Sequence, residues 1–264
     1  MLLAIDIGNT NVTIGAFKND ELIFVARLLT ESKLTKDQCI VNLMEVFSIN
    51  HVLAKDFNGA IVSSVVPMLT PAMTDAVKSL IGCMPIIVSH ELCTEIDFSA
   101  VDETNLGADL IIGSVAAVSN YKLPCIIIDL GTATTVTIIN KNKKFLGGCI
   151  IPGVKVSLEA LTQRASLLPD LSLELPKSLI CTDVTDSIRS GLIYGTASMI
   201  DGLISKIEAD LGYKCTVIAT GGLSEMIVPF CNKKLHSIYL AKNLVLYGLL
   251  DIYKLNKKCT SGNR

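Results

Sequence analysis

The 264-residue chain has no tryptophan, only three histidines, and aromatic residues at 5% of the total. His51, His90 and His236 lie far apart and near no motif, so they read as structural or surface residues rather than metal ligands or catalytic bases. No run of Lys and Arg occurs in the body of the chain and the formal net charge is −2, which argues against nucleic acid as a partner. Uninterrupted apolar stretches of the roughly 18 residues needed to cross a bilayer are missing, so no membrane association is expected. Asp6 arrives after five residues with no basic segment before it, which is unlike a secretory signal. The nine cysteines are odd in number, scattered, and never in CxxC spacing, which speaks against a disulfide framework or a zinc site. Unpaired thiols in that number fit a reducing, cytoplasmic setting.

What is present is apolar. Half of the residues are hydrophobic and the mean hydropathy is +0.52, enough for large cores and high enough to suggest apolar surface buried in an oligomer. The length suits about two domains.

The most informative stretch is Asp6-Ile7-Gly8-Asn9-Thr10-Asn11-Val12-Thr13, set between the apolar runs 1–5 and 14–17. It predicts strand, tight turn, strand, with Gly8 at a position tolerant of positive φ. A turn of Gly, Asn and Thr offers backbone N–H groups and hydroxyls to a close guest, and phosphate oxygens suit it. Asp6 cannot bind phosphate itself but can hold a hydrated Mg²⁺ that rides on one. The pattern recurs: Asp129-Leu130-Gly131-Thr132-Ala133-Thr134-Thr135 stands between the apolar runs 125–128 and 136–139. Aligning the copies sets Asp6 with Asp129, Gly8 with Gly131, Asn9 with Thr132 and Asn11 with Thr134, which points to an internal duplication. Two such hairpins resemble the actin-like ATPase superfamily, which includes sugar and acetate kinases. That resemblance implies two actin-like (ribonuclease H-like) α/β lobes, each with a mixed sheet flanked by helices, and an ATP cleft between them.

Along the chain, residues 21–29 read as a third strand, and 35–47 as a helix capped by Thr35 with Ile40, Leu43, Met44 and Phe47 on one face. A buried strand is expected over 60–66, a helix from Thr70 or Thr74 to Leu80 closed by Gly82, and a short strand over 85–88. An acidic loop follows over 90–104, then a helix from Asp109 to about Ser119 rich in small residues, suited to close approach by a neighbouring or partner helix. The second half predicts strands over 143–151, 214–219 and 236–240, helices over 154–163, 183–211 and 242–255, and a solvated tail from Asn256. Gly191, Gly195 and Gly202 are expected to mark tight packing. The alternation of strands and helices places the division into lobes near residue 120, giving 1–120 and 121–264.

Two further features carry chemistry. Thr220-Gly221-Gly222 follows a buried strand, where backbone without a Cβ could touch a flat ligand such as adenosine. Asp109 follows Gly107-Ala108 and is the best candidate for a carboxylate that orients a hydroxyl and accepts its proton, although an acid in the first turn of a helix is also favoured by the helix dipole.

Taken in order, DIGNTN at Asp6, SSVVP at Ser63, LGAD at Leu106, DLGTATT at Asp129, GGCIIPG at Gly147, the segment 185–191 and TGG at Thr220 resemble the type III pantothenate kinases nearly from end to end. The resemblance implies ATP-dependent phosphorylation of pantothenate, with Asp6, Ile7, Gly8, Asn9, Thr10, Asn11, Val12, Thr13 and Thr132 on the ATP phosphates. It implies Asp109 as proton acceptor, a pantothenate pocket lined by Gly107, Ala108, Asp109, Leu110 and Thr185, and a monovalent cation, K⁺ or NH₄⁺, at Asp129. It also implies a homodimer with the substrate site at the subunit interface. Three positions depart from the family pattern: Leu110 stands where an Arg is usual, Ala100 where a Tyr lines the pocket, and Thr137 where an Asp is common. A Leu cannot replace a guanidinium fork. A kinase for another small hydroxy acid, or a nucleotide-binding accessory protein with little catalysis, therefore stands as an alternative, and a DNA-binding regulator fits the charge poorly.

Overall fold

The computed structural model describes residues 1–92, 94–102, 106–164 and 171–261. The expected acidic residue Glu103 and part of the connection after the 154–163 helix, residues 165–170, lie outside them. The chain divides into two compact units: residues 1–96, 102–119 and 244–264 form one, and 97–101 with 120–243 form the other.

In the first unit the strands are β1 (Leu2–Ile7), β2 (Asn11–Lys18), β3 (Glu21–Leu29), β4 (Gly59–Ser64) and β5 (Ile86–Ile87), in sheet order β3-β2-β1-β4-β5. β1 runs antiparallel to β2 and parallel to β4. Helix α1 (Lys36–Ile49) starts at Thr35, whose hydroxyl accepts from the Gln38 N–H while the Gln38 side chain accepts from the Thr35 N–H. This reciprocal pair satisfies two otherwise orphaned donors. Helix α2 (Thr70–Ile81) ends on Gly82 at φ +75°, the left-handed cap that glycine adopts without strain. Leu3, Ile5, Ile7, Ala60 and Val62 of the sheet pack with Leu43, Phe47, Met73 and Val77 of these two helices. Strand alternation therefore turns Asp6 and Ser63 to the opposite face.

That opposite face receives α7 (Leu244–Ser261), and α3 (Ala108–Asn120) lies against α7. Phe17 of β2 meets Tyr247 edge-on with ring centroids 5.6 Å apart. A Cβ on Gly248 would lie 2.4 Å from the Ile112 carbonyl oxygen, so it is α7 that approaches α3 closely. Ser114, Ala116 and Ala117 of α3 are buried within the chain. Burial of this apolar face explains why α7 groups with the first unit, whereas a division at residue 120 leaves it with the second. It also explains why the helix runs on through 256–261, read from sequence as tail: no Pro or Gly intervenes after Gly248, and the Lys257 ammonium lies over the Tyr253 ring, one turn earlier.

The second unit repeats the plan with β6 (Cys125–Leu130), β7 (Ala133–Ile139), β8 (Phe145–Pro152), β9 (Thr216–Thr220) and β10 (Ile238–Leu240), in sheet order β10-β9-β6-β7-β8. β6 is antiparallel to β7 and parallel to β9, as β1 is to β2 and β4. The two sheets thus share one topology, the outcome the duplicated motif predicts. Helix α4 (Val154–Arg164) follows β8, and the long α5 (Val184–Leu211) is capped by Asp183, which accepts from the Asp186 N–H at 2.8 Å. Ile193, Ala197, Ile200 and Ile204 of α5 pack on Ile126, Ile128, Leu130 and Val217, and the short α6 (Ser224–Ile227) closes that core. A Cβ at Gly191, Gly195 or Gly202 would meet open space, so these glycines do not mark tight packing within the chain.

Candidate active site

In the first unit a candidate site is built at the end of β1. The Gly8 N–H donates to the Asn11 carbonyl at 3.0 Å and closes the turn. Thr30, just past β3, straps it from outside: its Oγ1 donates to the Gly8 carbonyl at 2.7 Å and its N–H to the Thr10 carbonyl at 3.0 Å. Nothing in the sequence marks Thr30, because its role depends on β3 folding back beside β2. Gly8 is not in the positive-φ region expected of it. Its smallness matters instead, since a Cβ there would sit 3.2 Å from the Asn11 carbonyl oxygen. Asn9, Thr10 and Asn11 are exposed at the turn, while Val12 returns to the core.

Asp6 is half-buried between Thr13 on β2 and Ser63 on β4, its register partners on either side. Burial lifts its carboxyl to about 6; the Ser63 hydroxyl draws it down, and the charge of Asp109 adds to the rise. The fold therefore brings Asp6 and Asp109 together, although a hundred residues separate them. Asp109 lies in the first turn of α3, and its Oδ1 accepts from the Leu110 N–H at 2.9 Å. A Cβ on Gly107 would fall on that same oxygen, so glycine is what lets the Asp109 side chain fold back over its own helix start. Leu110 is half-buried beside it. Two carboxylates brought near each other, with burial resisting the charge of Asp6, fit a cation. Among the described residues no three His, Cys, Asp or Glu side chains gather to hold a metal. A divalent ion at Asp6 would thus take its other ligands from phosphate and water.

The second unit carries its own candidate site at the end of β6. Asp129 lies between Thr135 on β7 and Thr220 on β9, again two hydroxyl residues in register. The pairing corrects the simple alignment of the two motifs. Ile7 faces Val12, but Leu130 faces Thr134, so the second hairpin is one residue shorter. Thr134 matches Val12, not Asn11, and is buried like it. Gly221, at φ +90°, passes so close that a Cβ would lie 2.3 Å from an Asp129 carboxylate oxygen and 2.6 Å from the Leu130 backbone. Gly153 donates its N–H to the Thr132 carbonyl at 3.1 Å, and a Cβ there would lie 2.2 Å from that oxygen. The sequence marks Gly153 only as the end of the GGCIIPG motif and gives it no role; it follows Pro152, the last residue of β8. Gly222, by contrast, has open space about its Cβ position. Asp129, Gly131, Thr132, Gly153 and Gly221 form one cradle of carboxylate and backbone.

Thr185 is half-buried in the first turn of α5. The segment before the helix is clasped to that turn and the next: Lys177 pairs with Asp186 at 3.3 Å, Arg189 with Glu174 at 2.8 Å, and the Ser190 hydroxyl donates to the Leu179 carbonyl at 2.6 Å. Ala100 is exposed and Thr137 buried.

The comparisons with known proteins agree with this layout. Residues 2–206 match the family model described as type III pantothenate kinase. A curated type III pantothenate kinase from Finegoldia magna is 39% identical over 260 residues, which is 97% of this chain and 98% of that one. Among solved structures, component A of the (R)-2-hydroxyglutaryl-CoA dehydratase of Acidaminococcus fermentans aligns with a TM-score of 0.57 at 15% identity over 98% of each chain. A ROK hexokinase from Thermus thermophilus aligns with a TM-score of 0.52 at 11% identity over 99% of each chain. These two likenesses concern the fold alone. With its duplicated sheets, its paired hairpins and a relative at this identity over nearly the whole length, the chain belongs to the type III pantothenate kinase family.

Proposed function

We propose that the chain transfers the γ-phosphoryl group of ATP to the hydroxyl of pantothenate, giving 4′-phosphopantothenate, the first step of coenzyme A synthesis. The observation that carries the assignment of roles is the convergence of Asp6 and Asp109 in one unit, one at a phosphate-type hairpin and the other at a helix start. The residues from Asp6 to Thr13 and Thr132 bind the phosphates through backbone N–H groups and small polar side chains. Asp6 holds Mg²⁺ through water, and the ion neutralises charge on the phosphates. Asp109 orients the pantothenate hydroxyl and takes up its proton as the oxygen attacks. Gly107, Ala108, Leu110 and Thr185 line the pantothenate pocket, and Gly221 and Gly222 lie against adenosine. Asp129, in its backbone cradle, holds K⁺ or NH₄⁺. The protein works as a homodimer in the cytoplasm. Seven cysteines of the described residues are free thiols, in keeping with a reducing compartment. Also, no helix among those residues is long and apolar enough to cross a membrane.

The test is ADP release with Mg-ATP, pantothenate and K⁺, against matched reactions lacking pantothenate or K⁺. Release that needs both supports the reading. ATP binding without pantothenate-dependent release favours the second reading, a nucleotide-binding accessory protein or a kinase of another hydroxy acid. Leu110 in place of the customary Arg is the observation that keeps that reading in view.

A further inference from the structure

The motif Ser63-Ser64 ends β4 with two hydroxyls that the structure treats differently. Ser64 is committed to its own turn. Its Oγ accepts from the Val66 N–H at 3.0 Å and from the Thr70 hydroxyl at 2.7 Å. Ser63 points to the other face of the sheet, is fully buried, and its Oγ has no partner at full hydrogen-bond geometry. A buried hydroxyl left without a partner costs about 1–3 kcal/mol, so its retention calls for a reason. Its parallel-register neighbour is Asp6, on the same face of the sheet. The matching position in the second unit is Thr220, beside Asp129. There the hydroxyl donates to the Ala241 carbonyl at 2.7 Å and is spent on holding the chain after β10. No such carbonyl engages Ser63.

We infer that Ser63 is a positioning residue: its hydroxyl donates to the Asp6 carboxylate and fixes which oxygen that carboxylate turns toward a phosphate-bound divalent cation. This rests on the role given to Asp6 above. Ser63 touches neither ATP nor substrate, so its removal acts only through Asp6.

The test is calorimetric ATP binding by the full chain, with Mg²⁺ and with EDTA, for the wild type, Ser63→Ala and Asp6→Asn, with thermal unfolding recorded for each. Ser63→Ala is expected to lose about tenfold of the Mg²⁺-dependent affinity, the scale of one hydrogen bond to a charged group. Binding in EDTA stays within about twofold of wild type, because the remaining contacts to ATP are untouched. In steady state, KM for Mg-ATP rises more than kcat falls. Ser63→Cys, nearly isosteric but a weaker donor, falls between the two and decides the matter should the alanine variant not fold. Equal loss with and without Mg²⁺ makes Ser63 a structural residue and overturns the inference. Wild-type behaviour of both Ser63 variants beside a clear loss in Asp6→Asn also overturns it and leaves the role of Asp6 standing. No loss in Asp6→Asn removes the role of Asp6 itself.

Discussion

The two units share a strand order, a hairpin and an aspartate with hydroxyls on both sides, yet they treat that aspartate in opposite ways. In the first, Asp6 is pressed by burial and by a second carboxylate, and its carboxyl is held at about 6. In the second, Asp129 lies within a cradle of backbone, with Gly221 and Gly153 passing where no side chain fits. One duplicated plan has kept its charge under strain in one copy and built a close-fitting backbone socket in the other. The first arrangement suits a group that must exchange cation and proton partners during a reaction. The second suits one that holds a fixed guest.

The largest effect expected from breaking this asymmetry is at Asp109. Asp109→Asn keeps the shape and removes the proposed proton acceptor, so pantothenate-dependent ADP release should fall about 10²- to 10⁴-fold. ATP affinity should change by no more than a few-fold, since the hairpins are intact. Full turnover in this variant would take the base role from Asp109.

The socket of the second unit should break next. Gly153→Ala drives a methyl group onto the Thr132 carbonyl, and Gly221→Ala adds a left-handed φ to a clash with Asp129. Each should cost about 1–3 kcal/mol in urea unfolding from overpacking alone. With K⁺ at Asp129 as proposed, K⁺-dependent activation should also weaken in both. If either variant unfolds like wild type, the cradle is looser than it looks.

Asp6 should do the reverse. A carboxyl with a higher pKa in the folded chain than in the unfolded one binds its proton more tightly when folded. Its ionisation therefore costs stability, a cost absent below the unfolded value of 3.8 and complete above about 6. Asp6→Asn should raise the Tm of the ligand-free protein at pH 7 by a few degrees, on the scale of ~2–4 °C per kcal/mol. The gain should fade as the pH falls toward 4, and ADP release should be lost. A drop in Tm at pH 7 would mean that Asp6 is paired, not strained.

How far the sequence foretold this depends on whether a feature is local. The hairpins, the Thr35 cap and the Gly82 stop were legible because the residues that make them are neighbours in the chain. The side of the molecule to which α7 belongs was not, since its apolar face says that it is covered and not by what. The one-residue difference between the hairpins was hidden too: Asn11 and Thr134 look equivalent until β1 and β6 set the register. Gly153 and Thr30 reach the turns from strands folded back upon them. Ser63 read as one of two serines at a strand end, and only the burial of one and the commitment of the other tell them apart.

The smallest effects should come at the turn glycines themselves, and they would sharpen the contrast most. Gly8 and Gly131 occupy matching places and neither requires a positive φ. A Cβ would meet the Asn11 carbonyl oxygen at 3.2 Å in the first turn and the Ala133 carbonyl oxygen at 3.5 Å in the second. The latter is an ordinary contact and the former slightly tight. Replacing glycine by alanine at a compatible position stabilises by about 0.4–1 kcal/mol through the unfolded chain. Gly131→Ala should therefore be neutral or slightly stabilising in urea unfolding, and Gly8→Ala neutral or slightly destabilising. A loss of several kcal/mol at Gly131 would place the constraint in the turn itself, whereas the predicted tolerance would place it in the strands and glycines that close around it.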